Sequence, residues 1–241
     1  MDQIREFVDE RQKAWCIQCG DQLGDVATNR DHVPSKALLR KPYPENLPVV
    51  DTCVACNKRF SPDEEYLRLF LHCVLIGSTD PERHSDAKIA RALQRHKKLR
   101  ARIERSKTEY RTIAGETRCV WKLEKKRVER IVVKNARGHV CYEYGEPMLG
   151  EATRVWTQTL TAMSASEREE FEYDGVVEEL AGSPEVGSRM MTRGLTGQDM
   201  RDGWVIVQDG VYRFRVQQRC GIVVRSVLSE YFATEVNWSD Y

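Results

Sequence analysis

The sequence predicts an α+β protein with three parts: an N-terminal module held by a zinc site of four cysteines, a helical segment, and a C-terminal mixed α/β region. Two Cys-x2-Cys pairs lie within the first quarter of the chain. Apolar residues at helical spacing follow them, and short runs of β-branched and aromatic residues dominate the last third. We expect the boundaries to give domains at residues 1–78, 79–112 and 113–241.

Length and composition limit the classes that fit. A chain of 241 residues with 41% hydrophobic and 31% charged residues is typical of a globular protein of one or two domains. No apolar run approaches the roughly 18 residues that span a bilayer, and residues 1–13 show no apolar signal core. We therefore expect a cytoplasmic protein without membrane association, in which cysteines stay reduced.

The elements are predicted in chain order from periodicity, turn residues and caps. Helices are expected at residues 4–13, 57–76, 82–106 and 123–135. A knuckle and turn are expected at residues 16–24, and strands at residues 30–33, 47–52, 154–160, 204–208, 211–216 and 221–227. The Asp209-Gly210 pair between two of these strands favours a tight hairpin.

The two cysteine pairs carry the strongest signal. Cys16 and Cys19 form one pair, Cys53 and Cys56 the other, and 33 residues separate the pairs. Four thiolates satisfy tetrahedral zinc, and each spacing lets one turn present two sulfurs to one ion. The alternatives are two unrelated pairs of free thiols or a redox pair. The second fits less well, because no βαβ pattern surrounds either pair. The remaining cysteines are expected to be buried thiols: Cys73, Cys119, Cys141 and Cys220.

The insert between the pairs carries polar residues in a definite order. It contains Asp31-His32-Val33-Pro34 and then Asn46-Leu47, and Asn57 directly follows the last cysteine. Together with the cysteine pairs, this order resembles the HNH endonucleases, which are zinc-stapled ββα-metal nucleases. The resemblance covers residues 16–76, about a quarter of the chain.

The resemblance implies a role for each matched position. His32 corresponds to the general base that activates water, and Asn46 to the loop residue that orients it. Asp31 and Asn57 correspond to the ligands of a catalytic divalent ion, Mg²⁺ or Mn²⁺. The zinc held by the cysteines is implied to be structural.

Each residue also has an interpretation that needs no catalysis. Asp31 and His32 could form a surface pair, Asn46 could be a turn residue, and Asn57 could cap the following helix. The chemistry itself is consistent, because a neutral imidazole suits proton abstraction and carboxylate and amide oxygens suit a hard cation. One geometric question remains open, since adjacent residues of a strand point to opposite faces.

Charge is unevenly distributed along the chain. The net charge of +1 combines a basic segment at residues 81–111, net +7, with an acidic segment at residues 151–210, net −7. The basic segment could lie along a phosphate backbone or could be a solvated linker helix. The candidate nucleic-acid contacts are Lys36, Lys58, Arg59, Lys97, Lys98 and Arg100. The last part of the chain matches no motif, and its acidic residues 167–179 could serve a protein partner or a homodimer.

These observations predict a metal-dependent HNH endonuclease that hydrolyses phosphodiester bonds in DNA. A role in antiviral defence is a further hypothesis. Two alternatives stay open: a non-catalytic zinc-knuckle module that binds nucleic acid or protein, and a nuclease subunit active only in a complex. His72, His84, His96 and His139 lack a comparable setting and are expected to be surface or packing residues.

Overall fold

The computed structural model describes residues 14–111, 113, 115–173, 184–218 and 221–239. The predicted α+β class is confirmed, with helices and antiparallel sheets. The predicted helix at residues 4–13 lies outside the described residues. Within them, no helix combines the length and apolar composition that crossing a bilayer requires.

The chain divides into two compact units. One, which we call the sheet unit, comprises Met1–Phe60 and Val132–Tyr241; the other, the basic unit, comprises Ser61–Ile131. The predicted boundaries near residues 78 and 112 do not follow this grouping. The reason is that the C-terminal region packs with the N-terminal segment, so one unit is built from both ends of the chain.

The N-terminal part of the sheet unit is a β-hairpin followed directly by a helix. Strand β1 (Thr28–His32) pairs antiparallel with β2 (Val49–Cys53), and Asp31 lies opposite Val50. Helix α1 (Val54–Ile76) begins at the next residue, three positions before its predicted start. Asn57 is therefore the fourth residue of the helix and not its N-cap, which corrects the interpretation of Asn57 as a cap.

The basic unit contains two short helices where the sequence predicts one at residues 82–106. Helix α2 (Ala87–Arg95) starts at Asp86, whose carboxylate accepts hydrogen bonds from the backbone amides of Lys88 and Ile89. The chain leaves helical geometry at His96 and re-enters it in α3 (Lys97–Arg105). The break lets both helices turn their apolar residues inward, and Ile89, Leu93 and Ile103 are buried.

A second hairpin follows α3, and the sequence does not predict it. Strands β3 (Lys107–Arg111) and β4 (Thr117–Trp121) form a two-stranded antiparallel sheet. Tyr110 and Val120 are 46% and 52% exposed. Cys119 is also exposed, so the prediction that it is a buried thiol is wrong. Within the part of the chain that the structure describes, no other element covers these side chains, so the thiol stays in contact with solvent.

Helix α4 (Lys125–Tyr144) extends nine residues beyond the end predicted at residue 135. Its C-terminal half belongs to the sheet unit and packs against the first hairpin. A Cβ atom placed on Gly138 would lie 2.7 Å from Val33 Cγ2, so the helix backbone approaches the end of β1 closely. Glycine weakens a helix only by about 1 kcal/mol relative to alanine, and here it permits the contact.

The rest of the sheet unit is built on a six-stranded antiparallel sheet with the order β5-β10-β9-β8-β7-β6. Its strands are β5 (Arg154–Thr159), β6 (Met200–Arg201), β7 (Trp204–Gln208), β8 (Tyr212–Gln218), β9 (Ile222–Leu228) and β10 (Phe232–Asn237). The hairpin predicted at Asp209-Gly210 joins β7 to β8, and Gly210 adopts the positive φ of 66° that a tight turn requires.

One face of this sheet is covered by aromatic and aliphatic residues. A cluster forms around Phe171 of helix α5 (Ala165–Tyr173) and the fully covered Trp204 of β7. Helix α6 (Arg189–Thr196) is tied to α4 by an ion pair in which Arg193 Nε donates to Glu143 Oε2 at 2.9 Å. His139 of α4 stacks on Phe214 with ring centroids 3.6 Å apart. Helix α4 therefore contacts the first hairpin and the large sheet within one unit.

Candidate metal centre and active site

The four predicted zinc ligands converge on one point. The sulfur atoms of Cys16, Cys19, Cys53 and Cys56 all lie within 4.8 Å of one another. The Cys19 and Cys53 sulfurs are 3.8 Å apart, and tetrahedral zinc with bonds of about 2.3 Å separates its sulfur ligands by about 3.8 Å. The cluster could hold a metal such as zinc, and its chemistry and spacing fit that ion.

Local backbone geometry explains how each pair presents two sulfurs. In the first pair the amide of Gly20 donates to the Cys16 carbonyl at 2.8 Å, and Gly20 has a φ of 78°, which favours glycine. The second pair spans the junction of β2 and α1. Cys53 ends the strand, and the Cys56 amide donates to its sulfur at 3.3 Å.

Backbone amides favour the ionised form of the buried Cys16. Burial raises the pKa of this thiol, but the amide of Cys53 donates to its sulfur at 3.4 Å, and such hydrogen bonds lower the pKa overall. Burial raises the pKa of Cys56 to about 11. Because a metal binds thiolates, binding of an ion here releases protons and weakens as the pH falls.

Asp31 is held by a lysine from α4. Its Oδ2 lies 2.8 Å from Lys134 Nζ, and the two side chains are 12% and 2% exposed. Lys134 Nζ also donates to Ser35 Oγ at 2.7 Å. The carboxylate of Asp31 therefore faces α4, which answers one half of the geometric question left by the sequence. His32 is the next and last residue of the strand, and the charges of both Asp31 and Lys134 act on its ring.

His32 is half-buried at the end of β1. Burial lowers its pKa, and Lys36 lowers it further, whereas the neighbouring carboxylate of Asp31 opposes the shift. The imidazole is consequently neutral near pH 7, which is the state a general base needs.

The two asparagines lie in different settings. Asn57 is half-buried in the first turn of α1, one residue after Cys56 of the cluster. Asn46 is exposed in the loop between β1 and β2, and within the described ranges no hydrogen bond joins it to His32. Asp31 and His32 thus lie at the end of β1 that pairs with Val50 and Val49, whereas Asn57 follows Cys53, which pairs with Thr28 at the other end of the hairpin. Asn46 remains at the surface.

The candidate nucleic-acid contacts fall into two groups. Lys36, Lys58 and Arg59 are exposed in the sheet unit, and Arg59 Nη2 also lies 3.8 Å from the Cys56 sulfur. Lys97 and Lys98 are exposed at the start of α3, whereas Arg100 is half-buried. Five of the six cations are therefore accessible to a phosphate backbone.

Helix α4 supplies residues that the sequence did not single out. Beyond Lys134, the Asn135 side chain accepts a hydrogen bond from the Ser35 amide at 2.9 Å. Arg137 Nη1 donates to the Gln18 carbonyl at 3.0 Å, between Cys16 and Cys19 of the cluster. Helical spacing indicates that Lys134 is buried, because it lies three residues after Ile131 and four before Gly138, on the same face of the helix.

The isolated cysteines and histidines are mostly structural. Cys73 is buried as predicted, Cys141 is half-buried beside Val33 and Val50, and Cys220 lies outside the described residues. His84 Nε2 is 2.9 Å from the Ser78 carbonyl, and His139 is fully buried. Neither histidine adjoins the cysteine cluster in sequence or shares a contact with it that would make it a ligand.

Comparison of this chain with protein-family models, with curated proteins and with solved structures finds no match. The geometry of the site, the residue types it brings together and the sequence resemblance are therefore what supports a function.

Proposed function

We propose that the protein is a metal-dependent HNH endonuclease that hydrolyses phosphodiester bonds in DNA. One observation carries the proposal: two converging cysteine pairs flank a β-hairpin in sequence, Asp31-His32 ends its first strand, and Asn57 occupies the first turn of the helix that follows. This is the ββα order of the family that the sequence resembles, with the polar residues at the corresponding positions.

The donor set determines what the site would hold. The four cysteines fit a structural zinc ion. Asp31 and Asn57 offer a carboxylate and an amide oxygen, which are the ligand types that Mg²⁺ and Mn²⁺ prefer, and the second carboxylate oxygen of Asp31 remains a possible ligand atom while Oδ2 faces Lys134. When bound there, a divalent ion would stabilise negative charge on the phosphate and on the leaving oxygen.

The chain's own residues would perform the proton transfer and the positioning. His32, neutral because of its burial and its cationic neighbours, would accept a proton from the attacking water. Lys134 and Ser35 would keep the Asp31 carboxylate in one orientation. Asn46 would orient His32 only if its exposed loop moves towards the strand, so its contribution is expected to be the smallest of the four.

The charge of the basic unit supports DNA as the substrate. This unit carries 18 Lys or Arg residues and 11 Asp or Glu residues, a net charge of +7. Such a surface binds a phosphate backbone without sequence preference and with a strong dependence on salt.

A second candidate is a zinc-stapled binding module without catalysis. The ion pair between Lys134 and Asp31 favours it, because an ammonium already neutralises the carboxylate that would otherwise attract a divalent ion. The two candidates share the zinc cluster and the basic unit, and they differ only in whether His32 and Asp31 act on a substrate.

A plasmid cleavage assay separates them. Zinc-loaded protein is incubated with supercoiled DNA and Mg²⁺ or Mn²⁺, and nicked and linear products are quantified for wild type, H32A and the control H96A. Loss of a general base costs roughly 10²- to 10⁴-fold in rate, so H32A should lose nearly all cleavage while H96A retains it. Equal cleavage by folded H32A and wild type would show that His32 is not the base. DNA binding without cleavage by any variant would favour the binding module.

A further inference from the structure

Lys134 occupies an unusual position for a lysine. Its side chain is 2% exposed, and its ammonium lies 2.8 Å from Asp31 Oδ2, 2.7 Å from Ser35 Oγ and 6.0 Å from the centre of the Phe60 ring. Lysine is rarely buried to this degree unless its charge is paired. Here the pair is with the residue that the proposed function assigns to the divalent ion.

The ammonium is fixed from both sides. Ser35, which accepts its hydrogen bond, is itself held by Asn135, whose Oδ1 accepts from the Ser35 amide at 2.9 Å and from Ser35 Oγ at 3.3 Å. The helix that carries Lys134 is anchored by Arg137 at the first knuckle and by the close approach of Gly138 to Val33. The ammonium of Lys134 is therefore held by two oxygen atoms, on a helix whose backbone is itself packed against the strand end.

Stability alone is a weak explanation for this arrangement. A buried ion pair contributes little net stability, since the cost of desolvating two charges offsets most of their attraction, and a well-packed apolar pair often serves as well. The ammonium does have one consequence that an apolar residue lacks: it places a fixed positive charge beside a proposed metal ligand. Two cations close to one carboxylate compete for it.

We propose that Lys134 is a positioning residue that fixes the Asp31 carboxylate and sets the affinity of the site for its divalent ion. The ammonium holds the carboxylate in place before the ion arrives, and it weakens ion binding through charge repulsion. Helix α4 is then part of the site although it lies more than 90 residues beyond the strand in sequence. This inference rests on the proposed function, because it takes Asp31 to be a metal ligand.

The test measures Mn²⁺ binding directly. The dissociation constant of Mn²⁺ is determined by electron paramagnetic resonance on full-length, zinc-loaded wild type, D31N, K134M, K134Q and K134R, with K41M as the control for an exposed lysine. The Lys134→Met and Lys134→Gln variants remove the charge but keep the length of the side chain, and glutamine can still donate to Asp31. Circular dichroism and zinc content establish which variants are folded.

We expect the K134M and K134Q variants to bind Mn²⁺ at least about tenfold more tightly than wild type. These substitutions remove a positive charge a few ångströms from a partly buried site. K134R should bind like wild type, K41M should change the affinity less than about twofold because its charge is exposed and screened, and D31N should bind most weakly. In the cleavage assay, the neutral variants should need less Mn²⁺ for half-maximal rate but reach a lower maximal rate.

The outcomes separate the two levels of the proposal. If D31N weakens Mn²⁺ binding but folded K134M or K134Q binds as wild type does or more weakly, the role of Lys134 is refuted and the assigned metal ligand stands. If D31N leaves Mn²⁺ binding unchanged, Asp31 is not a ligand and the catalytic assignment itself fails. Should K134M fail to fold, K134Q gives the same comparison with the hydrogen bonds kept.

Discussion

The two compact units differ in charge and in chemistry. The basic unit has a net charge of +7, whereas the remainder of the chain has 20 basic and 26 acidic residues and a net charge of −6. The cysteine cluster, Asp31, His32 and Asn57 all belong to the sheet unit. A net charge of +1 therefore says little about this protein, because the excess of basic residues and the residues of the candidate site belong to different units.

The largest expected effect is the disruption of the cysteine cluster in the sheet unit. Cys53→Ser removes a buried thiol of the cluster at the junction of β2 and α1, where the sulfur also accepts a hydrogen bond from the Cys56 amide. Structural zinc contributes several kcal/mol or more to folding. We expect metal analysis to find about one zinc per chain in wild type and none in the variant, with a collapse of the thermal transition.

The matched control is Cys119→Ser in the basic unit, where the thiol is exposed. It should keep both the zinc and the transition. A folded, zinc-free wild-type preparation would contradict the assignment of the cluster.

Acid should destabilise the sheet unit through His139. Burial, together with the nearby charge of Arg193, lowers the pKa of this histidine from 6.5 to about 3. Below pH 6.5 the unfolded chain takes up a proton that the folded chain does not bind, so stability falls as the pH drops from 6.5 towards 3, by about 1.4 kcal/mol per pH unit. Denaturant unfolding at several pH values checks the slope.

His139→Gln removes the titration while keeping a polar side chain near Tyr212, whose hydroxyl lies 3.0 Å from the histidine ring. The difference in unfolding free energy between wild type and this variant should shrink or reverse in favour of the variant as the pH falls. A constant difference between pH 7 and pH 4 would mean that His139 is protonated in the folded state.

Charge reversal should affect the basic unit alone. The triple variant K97E/K98E/R100E places acids at the start of α3, where Lys97 and Lys98 are exposed. We expect DNA affinity to fall by roughly 10- to 100-fold and the salt dependence to become shallower, by nearly one unit of slope for each phosphate that the variant no longer neutralises. Fluorescence anisotropy on the H32A background measures binding without cleavage.

Lys41→Glu, an exposed change in the sheet unit, is the control and should have a smaller effect. If the triple variant binds DNA as tightly as wild type at every salt concentration, the basic segment is a solvated surface and does not contact DNA.

The smallest effect is expected at a helix cap. Asp86→Ala removes the carboxylate that accepts from the Lys88 amide at 2.7 Å, which should cost about 1 kcal/mol. Hydrogen exchange in α2 should accelerate, while exchange in the six-stranded sheet stays unchanged if the two units open independently. Glu82→Ala, an exposed neighbour without a capping role, should leave both rates unaltered.

Local signals predicted much of the secondary structure but not its partners. Strand β7 and the Asp209-Gly210 turn follow from β-branched runs and a turn dipeptide, and the cysteine spacing predicted the cluster. Helices α5 and α6 also had local signals that were missed: a Ser164-x-x-Glu167 capping box and a Ser188 cap with a glycine at position 197.

The contact between Lys134 and Asp31 could not be predicted in the same way. It joins residues over 100 positions apart, and nothing in the spacing of either segment specifies the other. The break at His96 depends likewise on where Ile89 and Ile103 find apolar partners, and the exposure of Cys119 depends on whether another element packs over the β3–β4 hairpin. Tertiary packing decides all three.

The close approach of Gly138 to Val33 fixes the spacing between helix α4 and the end of β1. No methyl group fits between the helix and the strand end, since it would lie 2.7 Å from one Val33 carbon and 3.0 Å from another. An alanine at position 138 would have to push Val33 outward by several tenths of an ångström, and His32 is the adjacent residue. Gly138→Ala would therefore shift the strand end beside His32, and with it the imidazole, without replacing any residue of the candidate site.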